Sequence, residues 1–562
     1  MAQSSGDPTA EVLVEAGVIT REQLETAASA RNGAVERLDE VLIRLGIAGE
    51  EEIYSALARH MGLEYAPDVD RDIPPALLAQ VPSDFAMRHQ VLPLREEDHS
   101  LVVAMANPFD VTVLDDLRLL TSRDVRAVVV SPRKISDAIE QCYMEKMFRD
   151  IDTMQTEEVA EEDLEIADLQ KMAREALVIK LVNLILHQAV QERASDVHIE
   201  PHEKELRVRY RVDGVLRDAS SPPRHLHPAI ISRIKIMADM DIAERRLPQD
   251  GRVQIKLGDR MIDLRISTIP TLHGESVVVR LLDRAAGRMA LPDLGMRPDT
   301  FAEFRILIRR PHGIILATGP TGSGKSTTLH AALHEVYSAE KKVITIEEPV
   351  EYELAGANQI NVRPEIGLTF ASGLRHIVRQ DPDIIMVGEI RDRETADIAI
   401  HAALTGHLVF STVHTNDAAG AVTRLLDMGI EPYLAASSLI GVIAQRLMRT
   451  LCARCKAPFE PTPEDLREGS MSPDKAGSLT LYRASGCELC RDGYFGRTGI
   501  FELLPVDEEV RRQVLDKVSS SDIRRRAVEK GMRTLLADGR EKVLEGRTTI
   551  EEVMRVCQRD EV

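Results

Sequence analysis

Residues 313–328 constrain this chain more than any other stretch, because GIILATGPTGSGKSTT joins an apolar run, a glycine-rich loop and a helical pattern. A strand, a loop and a helix in that order form a phosphate-binding loop, in which backbone N–H groups and the helix N-terminus face one anion. In such a loop Lys325 reaches the β- and γ-phosphates, and the Ser326 hydroxyl ligates Mg²⁺. The alternative is a glycine turn with a chance Lys-Ser after it, but the strand and helix around the loop favour a nucleoside triphosphate site. The residues predicted to bind it are Gly319, Pro320, Thr321, Gly322, Ser323, Gly324, Lys325, Ser326 and Thr327.

Apolar runs at 313–318, 342–346, 383–387 and 408–412 alternate with helical stretches, which predicts an α/β fold with a mainly parallel sheet. Acids or imidazole follow three of these runs: Glu347 and Glu348, then Glu389, then His414. Ligand groups gather at the carboxyl ends of parallel strands, and phosphoryl transfer needs carboxylates for water and metal. Any one cluster alone is typical of a helix cap or a surface acid. All three, downstream of one phosphate loop, predict a single hydrolytic site.

Composition narrows the class of partner. The 562 residues allow three to five domains, and the net charge of −20 disfavours a protein that wraps duplex nucleic acid, although local basic patches stay open. No apolar run reaches the roughly 18–20 residues that span a bilayer, and the N-terminus lacks a signal-peptide pattern. We therefore expect a cytoplasmic protein with no nucleic-acid partner.

The regions around the core differ in pattern. Around Gly17 and Gly46 a short sequence repeats with a spacing of 29 residues, each copy predicting a helix, a turn and a second helix. An acidic segment near 150–168 predicts a linker, with an exposed acidic helix as the alternative. Leu206–Val212 alternates as a strand does, and further strands carry Arg265 and Arg280; solvated arginines on a half-buried sheet are the alternative to a functional role.

The predicted boundaries follow from these changes in pattern. They are 1–145 for an N-terminal domain, 146–172 for the linker, 173–288 for a second domain, 289–445 for the ATPase core, 446–500 for a cysteine-bearing subdomain and 501–562 for a C-terminal helical region.

Four of the six cysteines form two pairs, Cys452-x2-Cys455 and Cys487-x2-Cys490, which are separated by 31 residues. Four thiolates in two such pairs suit tetrahedral Zn²⁺. The gap is longer than usual for a zinc site, and redox-active pairs are the alternative. With no histidine or acid that suggests an open coordination position, the pattern favours a structural zinc site.

Several long segments resemble one family. GPTGSGKSTT, TIEEPVEY, RQDPDIIMVGEIRDRETADIAIHAALTGHLVFSTVHTNDA, the paired cysteines and GRTGIFELL are similar to the secretion and type IV pilus assembly ATPases, as are ASDVHIEP, RVRYRVDG and RRLPQDGR. Within that family the LYRASGC and GYFGRTGIFELL segments are most similar to the type II secretion members. The resemblance implies a RecA-like phosphate-loop ATPase core, a preceding PAS-like α+β domain, a mixed N-terminal domain and a tetracysteine zinc insertion.

The resemblance also implies roles for single residues. It makes Lys325, Glu347, Glu389, His414, Arg265 and Arg280 catalytic: Glu347 orients water, Glu389 and Ser326 hold Mg²⁺, and the two arginines reach a neighbouring subunit's nucleotide. His407 and His414 would belong to the histidine box that senses the γ-phosphate. Core arginines that couple the site to the subunit interface would be Arg375, Arg379 and Arg391. The family's Glu-Asp-Pro is Glu347-Glu348-Pro349 here, which leaves the role of Glu348 open.

The implied assembly is a homohexamer that uses ATP and is attached to an inner-membrane secretion platform through its N-terminal domain. The repeat around Gly17 and Gly46 is similar to the family's cyclic di-GMP module. However, Arg31 and His60 stand where that module has glutamine. Docking to a membrane partner is therefore favoured over cyclic di-GMP binding, and a cyclic-dinucleotide sensor and a nucleic-acid translocase stay as alternatives.

Overall fold

The computed structural model describes residues 8–29, 38–97, 100–132, 134–139, 141–143, 146, 164–257, 260–283, 289–487 and 489–557. These residues divide into two compact units, of which the first covers the chain up to Asp283 and the second covers most of the remainder. Across the described ranges, no helix combines the length and the apolar character that a membrane span requires. Most of the predicted acidic linker, and Arg31 in the first repeat, lie outside the described residues.

The N-terminal repeat forms two helix–turn–helix units, as predicted, and a small sheet follows it. Gly17 and Gly46 occupy equivalent turns with φ of 70° and 68°, a left-handed conformation that favours glycine. The sheet has the order β1-β4-β3-β2, in which only the β2–β3 pair is antiparallel. The elements are α1 (Pro8–Glu15), α2 (Arg21–Ser29), α3 (Leu38–Arg44), α4 (Glu50–Met61), β1 (Glu64–Tyr65), α5 (Pro75–Leu78), α6 (Ser83–His89), β2 (Val91–Glu97), β3 (Ser100–Met105), α7 (Val111–Thr121) and β4 (Asp124–Val129).

The second domain is an antiparallel sheet with two helices on one face. Its strand order is β7-β6-β5-β10-β9-β8. Val197 and Ile199 of the sheet pack with Leu181 and Ile185 of the long helix, whereas the alternate strand residues are polar. The elements are α8 (Leu164–Gln191), β5 (Ala194–Pro201), β6 (Leu206–Val212), β7 (Val215–Asp218), α9 (His227–Met237), β8 (Gln249–Leu257), β9 (Arg260–Thr271) and β10 (Gly274–Asp283).

The ATPase sheet is buried on both faces. Its order is β13-β12-β14-β15-β11-β16-β19, and every pair is parallel except β16–β19, so the prediction of a mainly parallel sheet is confirmed. The elements up to residue 438 are α10 (Pro298–Ile308), β11 (Gly313–Thr318), α11 (Lys325–Val336), β12 (Val343–Glu347), β13 (Ala357–Asn361), α12 (Phe370–Ile377), β14 (Ile384–Val387), α13 (Arg393–Leu404), β15 (Leu408–Val413), α14 (Ala418–Asp427) and α15 (Pro432–Ser438).

Two long antiparallel strands, β16 and β19, bracket the cysteines. The predicted boundaries at 445 and 500 fall inside these strands, so residues 501–505 are not helical as predicted. They extend the sheet because Phe501, Leu503 and Leu504 are buried beside β16. The remaining elements are β16 (Leu439–Leu451), β17 (Ala457–Phe459), α16 (Pro463–Glu468), β18 (Leu481–Arg483), β19 (Tyr494–Pro505), α17 (Glu508–Leu515), α18 (Ser520–Glu529), α19 (Leu535–Leu544) and α20 (Ile550–Val556).

Candidate nucleotide site and cysteine cluster

The loop between β11 and α11 has the backbone of a phosphate-binding loop. Gly319 and Gly324 have φ of 148° and 87°, and a Cβ on Gly319 would lie 2.5 Å from the Gln445 carbonyl oxygen. On Gly324 a Cβ would lie 2.7 Å from Nε2 of Gln445. Only glycine fits both positions, because the left-handed conformation and the close neighbour each exclude a side chain. The loop can therefore turn its N–H groups toward one anion at the start of α11.

Two polar groups of the loop fit a bound triphosphate. The Oγ of Ser323 is buried and has no hydrogen-bond partner among the described residues. The ammonium of Lys325 donates to the carbonyl oxygens of Gly319 and Pro320, at 2.8 and 3.0 Å. Burial lowers the Lys325 pKa to about 8, with the Glu389 carboxylate opposing that shift and Arg446 adding to it. A phosphate oxygen supplies the acceptor and the negative charge that these groups lack.

The acid after β14 lies in a cluster of charges. Glu389 forms an ion pair with Arg391, and its other oxygen lies 3.4 Å from Nε2 of His414. Arg391 also lies 3.4 Å from the carboxylate of Glu348, so it bridges the strand ends of β12 and β14. The structure thus brings Glu389, His414 and Glu348 together at the edge that carries the phosphate loop, as expected for parallel strands.

Glu347, the other predicted acid, is enclosed. Its side chain is 5% exposed, and it accepts hydrogen bonds from His330 Nε2 at 3.0 Å, Thr345 Oγ1 at 2.7 Å and Gln359 Nε2 at 3.2 Å. Burial acts to raise the pKa of this carboxyl, but the hydrogen bond and charge of His330, with the Thr345 and Gln359 donors, hold it below the usual value. Glu347 is consequently ionised at neutral pH.

His407 does not lie with His414. It precedes β15, whereas His414 follows it, and seven residues of extended chain separate the two by about 23 Å. Its Nδ1 lies 2.8 Å from the carbonyl oxygen of Ala402. His414 therefore lies at the edge of the sheet that carries the phosphate loop and His407 lies at the opposite edge, so the place of His407 in a γ-phosphate-sensing histidine box stays a prediction.

Two residues of β16 that the sequence did not single out flank the loop. The Oε1 of Gln445 accepts from Thr328 Oγ1 at 2.6 Å. Nη2 of Arg446 donates to the carbonyl oxygen of Asn416 at 3.0 Å, and a Cβ on Gly319 would lie 3.0 Å from Nη1. The signal in the sequence was that Gln445 and Arg446 interrupt an otherwise apolar strand. Polar side chains inside a buried strand need hydrogen-bond partners, and here the partners lie at the phosphate loop and beside it.

Comparison with known proteins decides the family. The sequence profile described as "Type II/IV secretion system protein" matches residues 171–555, and that of the MshEN domain matches 61–148. The chain belongs to the type II/IV secretion system protein family. Members of this family hydrolyse ATP, and this chain is a Mg²⁺-dependent ATPase. The RecA-like core that was predicted is confirmed.

Two curated relatives match nearly the whole chain. The Type IV pilus assembly ATPase PilB of Myxococcus xanthus is 44% identical over 97% of this chain and 98% of its own. The Type II secretion system protein E of Xanthomonas campestris is 46% identical over 92% of both chains. Among solved structures, the ATPase DotB of Legionella pneumophila superimposes with a TM-score of 0.50 at 22% identity, covering 67% of this chain and 95% of that one, which shows the shared fold.

The core arginines named by the family resemblance lie at the surface. Arg375 is half exposed on α12 and pairs with Glu394, and Arg379 is exposed just after that helix. Arg391 is 64% exposed although it contacts two acids of the site. Their role in coupling the site to a subunit interface, which the family resemblance implies, stays a prediction.

Arg265 and Arg280 are adjacent across β9 and β10 of the second domain. They are direct partners in the antiparallel register, and Arg280 Nε donates to Asp196 Oδ1 at 3.0 Å. The register extends the row in both directions, to Arg252 on β8 and through Asp196 to Arg211 on β6. Four arginines thus share one row with a single buried aspartate, which the sequence alternation alone did not align.

The four predicted cysteines come together. The sulfur atoms of Cys452, Cys455, Cys487 and Cys490 all lie within 4.8 Å of one another, and none forms a disulfide. Zn–S bonds of about 2.3 Å in a tetrahedron place sulfurs about 3.8 Å apart, and Cys455 and Cys490 are separated by 3.5 Å. The Gly493 N–H also points at the Cys490 sulfur, at 3.2 Å. This donor set fits a structural zinc ion.

Proposed function

We propose that the chain is the assembly ATPase of a type II secretion system, a cytoplasmic homohexamer that powers pseudopilus assembly and protein export. The observation that carries the proposal is the tetracysteine cluster between β16 and β19, in a chain that also has an intact phosphate loop. The GYFGRTGIFELL segment follows the second cysteine pair in the sequence. Support also comes from the Xanthomonas relative, whose name is Type II secretion system protein E.

In this mechanism the triphosphate supplies the γ-phosphoryl group, and Mg²⁺ neutralises its charge. The phosphate loop with Lys325 and Ser326 binds the phosphates and the metal, and Glu389 completes the metal site. Glu347 orients the attacking water, and His414 senses the γ-phosphate. Arg265 and Arg280 of a neighbouring subunit meet the charge that develops in the transition state, which makes an isolated subunit nearly inactive.

The second candidate is a type IV pilus assembly ATPase. It is favoured by the Myxococcus relative, which matches 97% of this chain and bears that name. Both candidates share the ATPase mechanism, and they differ in the membrane platform that receives the motion.

The test is a deletion of this gene in its host, complemented with wild type or with Lys325→Ala. Secreted enzymes in the medium and pili on the cell surface are scored in parallel. Loss of export with pili retained, rescued by wild type alone, is the expected result. Loss of pili with export retained would instead establish the pilus candidate.

The N-terminal domain is the proposed contact with an inner-membrane partner, which would attach the hexamer peripherally. A cyclic di-GMP titration of the full-length protein separates docking from nucleotide signalling. Docking alone predicts no saturable binding at micromolar ligand. Saturable binding, lost on substitution in the Gly46 repeat, would show that the domain is a cyclic-dinucleotide sensor.

A further inference from the structure

The free acceptor position of Glu347 is defined by its hydrogen bonds. Thr345 and Gln359 both donate to Oε1, whereas among the described residues His330 is the one donor to Oε2. A carboxylate oxygen has about two lone-pair sites, so Oε1 is saturated and Oε2 retains one site for a further donor such as water. The direction of that remaining site depends on how His330 holds Oε2.

His330 lies on α11, the helix that follows the phosphate loop. It lies five residues after Lys325 in α11, about 7.5 Å along the helix axis. The imidazole is 7% exposed and meets the Tyr352 ring edge-on, with 6.0 Å between ring centroids. The ring is therefore held between the Tyr352 ring and the Glu347 carboxylate, and its hydrogen bond connects the phosphate-loop helix to the acidic strand end.

If the His330–Glu347 pair served stability alone, a histidine would not be needed at this position. A buried carboxylate must be satisfied by donors, and three neutral donors would serve for stability alone. His330 instead supplies both a hydrogen bond and charge, which together with the neutral donors Thr345 and Gln359 hold the pKa of Glu347 below its usual value against the opposing effect of burial. Since Tyr352 lies behind the ring, His330 is the titratable group that faces the carboxylate from α11.

We propose that His330 is a positioning residue for ATP hydrolysis, which fixes the free acceptor site of Glu347 Oε2 toward the attacking water and couples it to the phosphate-loop helix. The inference rests on the proposed water-orienting role of Glu347. Nucleotide binding at the first turn of α11 acts on the helix that carries the imidazole. The orientation of the Glu347 carboxylate would then depend on whether nucleotide occupies the phosphate loop.

The test compares His330→Gln, which keeps a donor at the Nε2 position, with His330→Leu, which removes it. Turnover and KM for MgATP are measured on the full-length protein between about pH 4 and pH 9, a range that includes the acid limb of the profile. We expect His330→Leu to lower kcat by about 10- to 100-fold, part of the ~10²–10⁴ that a positioned base supplies, with KM changed less than about twofold. The acid limb of its kcat profile should move to higher pH, because burial of Glu347 is then less opposed. His330→Gln should restore most of kcat, and its acid limb should lie between those of wild type and His330→Leu, because glutamine replaces the hydrogen bond of His330 but not its charge.

His334→Leu is the matched control, since His334 is exposed one turn later on α11 and should leave both parameters unchanged. A wild-type kcat and pH profile in His330→Leu would overturn the proposal. Equal losses of kcat in the Leu and Gln variants, in proportion to their lowered melting temperatures, would also overturn it. Should His330→Leu not fold, His330→Asn replaces it, because its shorter donor does not reach Oε2; wild-type turnover in that variant overturns the proposal too.

Two further variants separate this inference from the function on which it rests. Full turnover in Lys325→Ala would show that the proposed nucleotide site is wrong. Full turnover in Glu347→Gln would show that Glu347 does not orient the water, and the His330 proposal would fail with it. Inactive Lys325→Ala and Glu347→Gln beside a fully active His330→Leu would leave the proposed function intact and overturn the His330 inference alone.

Discussion

The ATPase sheet and the sheet of the second domain place their charged side chains in different ways. In the ATPase sheet, alternate residues of β11 enter two separate cores, with Ile314 in one and Ile315 in the other. In the second domain, alternate residues face one core and an outer polar surface, where Arg280 and Arg265 lie side by side. The ATPase sheet has the acids and the imidazole of its nucleotide site at strand ends, whereas the second domain has charged side chains across a whole face.

Burial explains the difference. A parallel sheet covered on both faces excludes charge from its strands, so acids and imidazole collect in the loops at one edge. An antiparallel sheet covered on one face alternates, so that cross-strand neighbours form charged rows. The ATPase unit therefore gathers acids at one edge of its sheet, while the second domain carries a row of arginines, a residue type that suits an anion. In the proposed function, these two sets of side chains belong to one site that is completed between subunits.

The largest expected effect comes from separating the two halves on different chains. Lys325→Ala and the double variant Arg265→Ala, Arg280→Ala should each lose about 10³-fold in ATP turnover, since a trans arginine contributes 10³ or more. Mixing equal amounts before assembly should restore activity at about one quarter of the sites, those that pair an intact loop with intact arginines. Steady-state turnover of the mixture measures this.

Arg207→Ala is the control for that mixture, because Arg207 is an exposed arginine of the same sheet outside the row, paired with Glu205. It should retain wild-type turnover. A mixture no more active than its components would contradict the shared site, as would full activity in a verified monomer.

The next largest effect concerns the antiparallel edge of the ATPase sheet, where the cysteines lie between β16 and β19. Cys487→Ser should remove about one zinc ion per chain and lower the melting temperature by about 5–10 °C, because metal binding contributes directly to folding. Hydrogen exchange should rise within residues 452–493 first, with ATP affinity nearly unchanged. Metal analysis, calorimetry and exchange measure these changes.

Cys142→Ser, which alters a buried cysteine outside the cluster, should keep the wild-type zinc content. If chelation abolished ATP binding while residues 452–493 stayed protected from exchange, a structural role for the zinc would be excluded.

The smallest effect tests an acid that is buried in the middle of an ATPase-sheet strand. Glu502 of β19 is fully buried, accepts from the Ala418 and Leu535 N–H groups at the starts of α14 and α19, and lies 3.9 Å from Arg524. Burial raises its pKa from 4.5 to about 7, the two N–H donors and Arg524 opposing the shift and the nearby Asp417 adding to it. The folded state therefore binds this proton more tightly than the unfolded state does.

The contribution of protonated Glu502 to the free energy of unfolding is fully present below pH 4.5 and is lost as the pH rises through about 7. Denaturation of wild type and Glu502→Gln across that window should show a decline with pH in wild type that the glutamine variant lacks. Parallel curves for the two proteins would show that Glu502 keeps an ordinary pKa.

The sequence by itself determined the ATPase core. Strand, glycine loop and helix at 313–328 are local patterns, and the strand ends at Glu347, Glu389 and His414 follow from alternation along the chain, so both could be placed without coordinates. The cysteine spacing likewise predicted a cluster that the fold assembles. Local periodicity predicts these positions because residues that are close in the sequence lie on the same strand or helix.

Only the tertiary structure decided which groups meet across elements. His407 looked equivalent to His414, yet strand direction places it at the far end of β15. The sequence did not single out His330, whose imidazole the tertiary structure brings from α11 to the carboxylate of Glu347 at the end of β12. Arg446 and Asn416 are 30 residues apart, and Arg252 joins Arg280 only through the register of three strands. Such contacts depend on long-range register and packing, which no local pattern encodes.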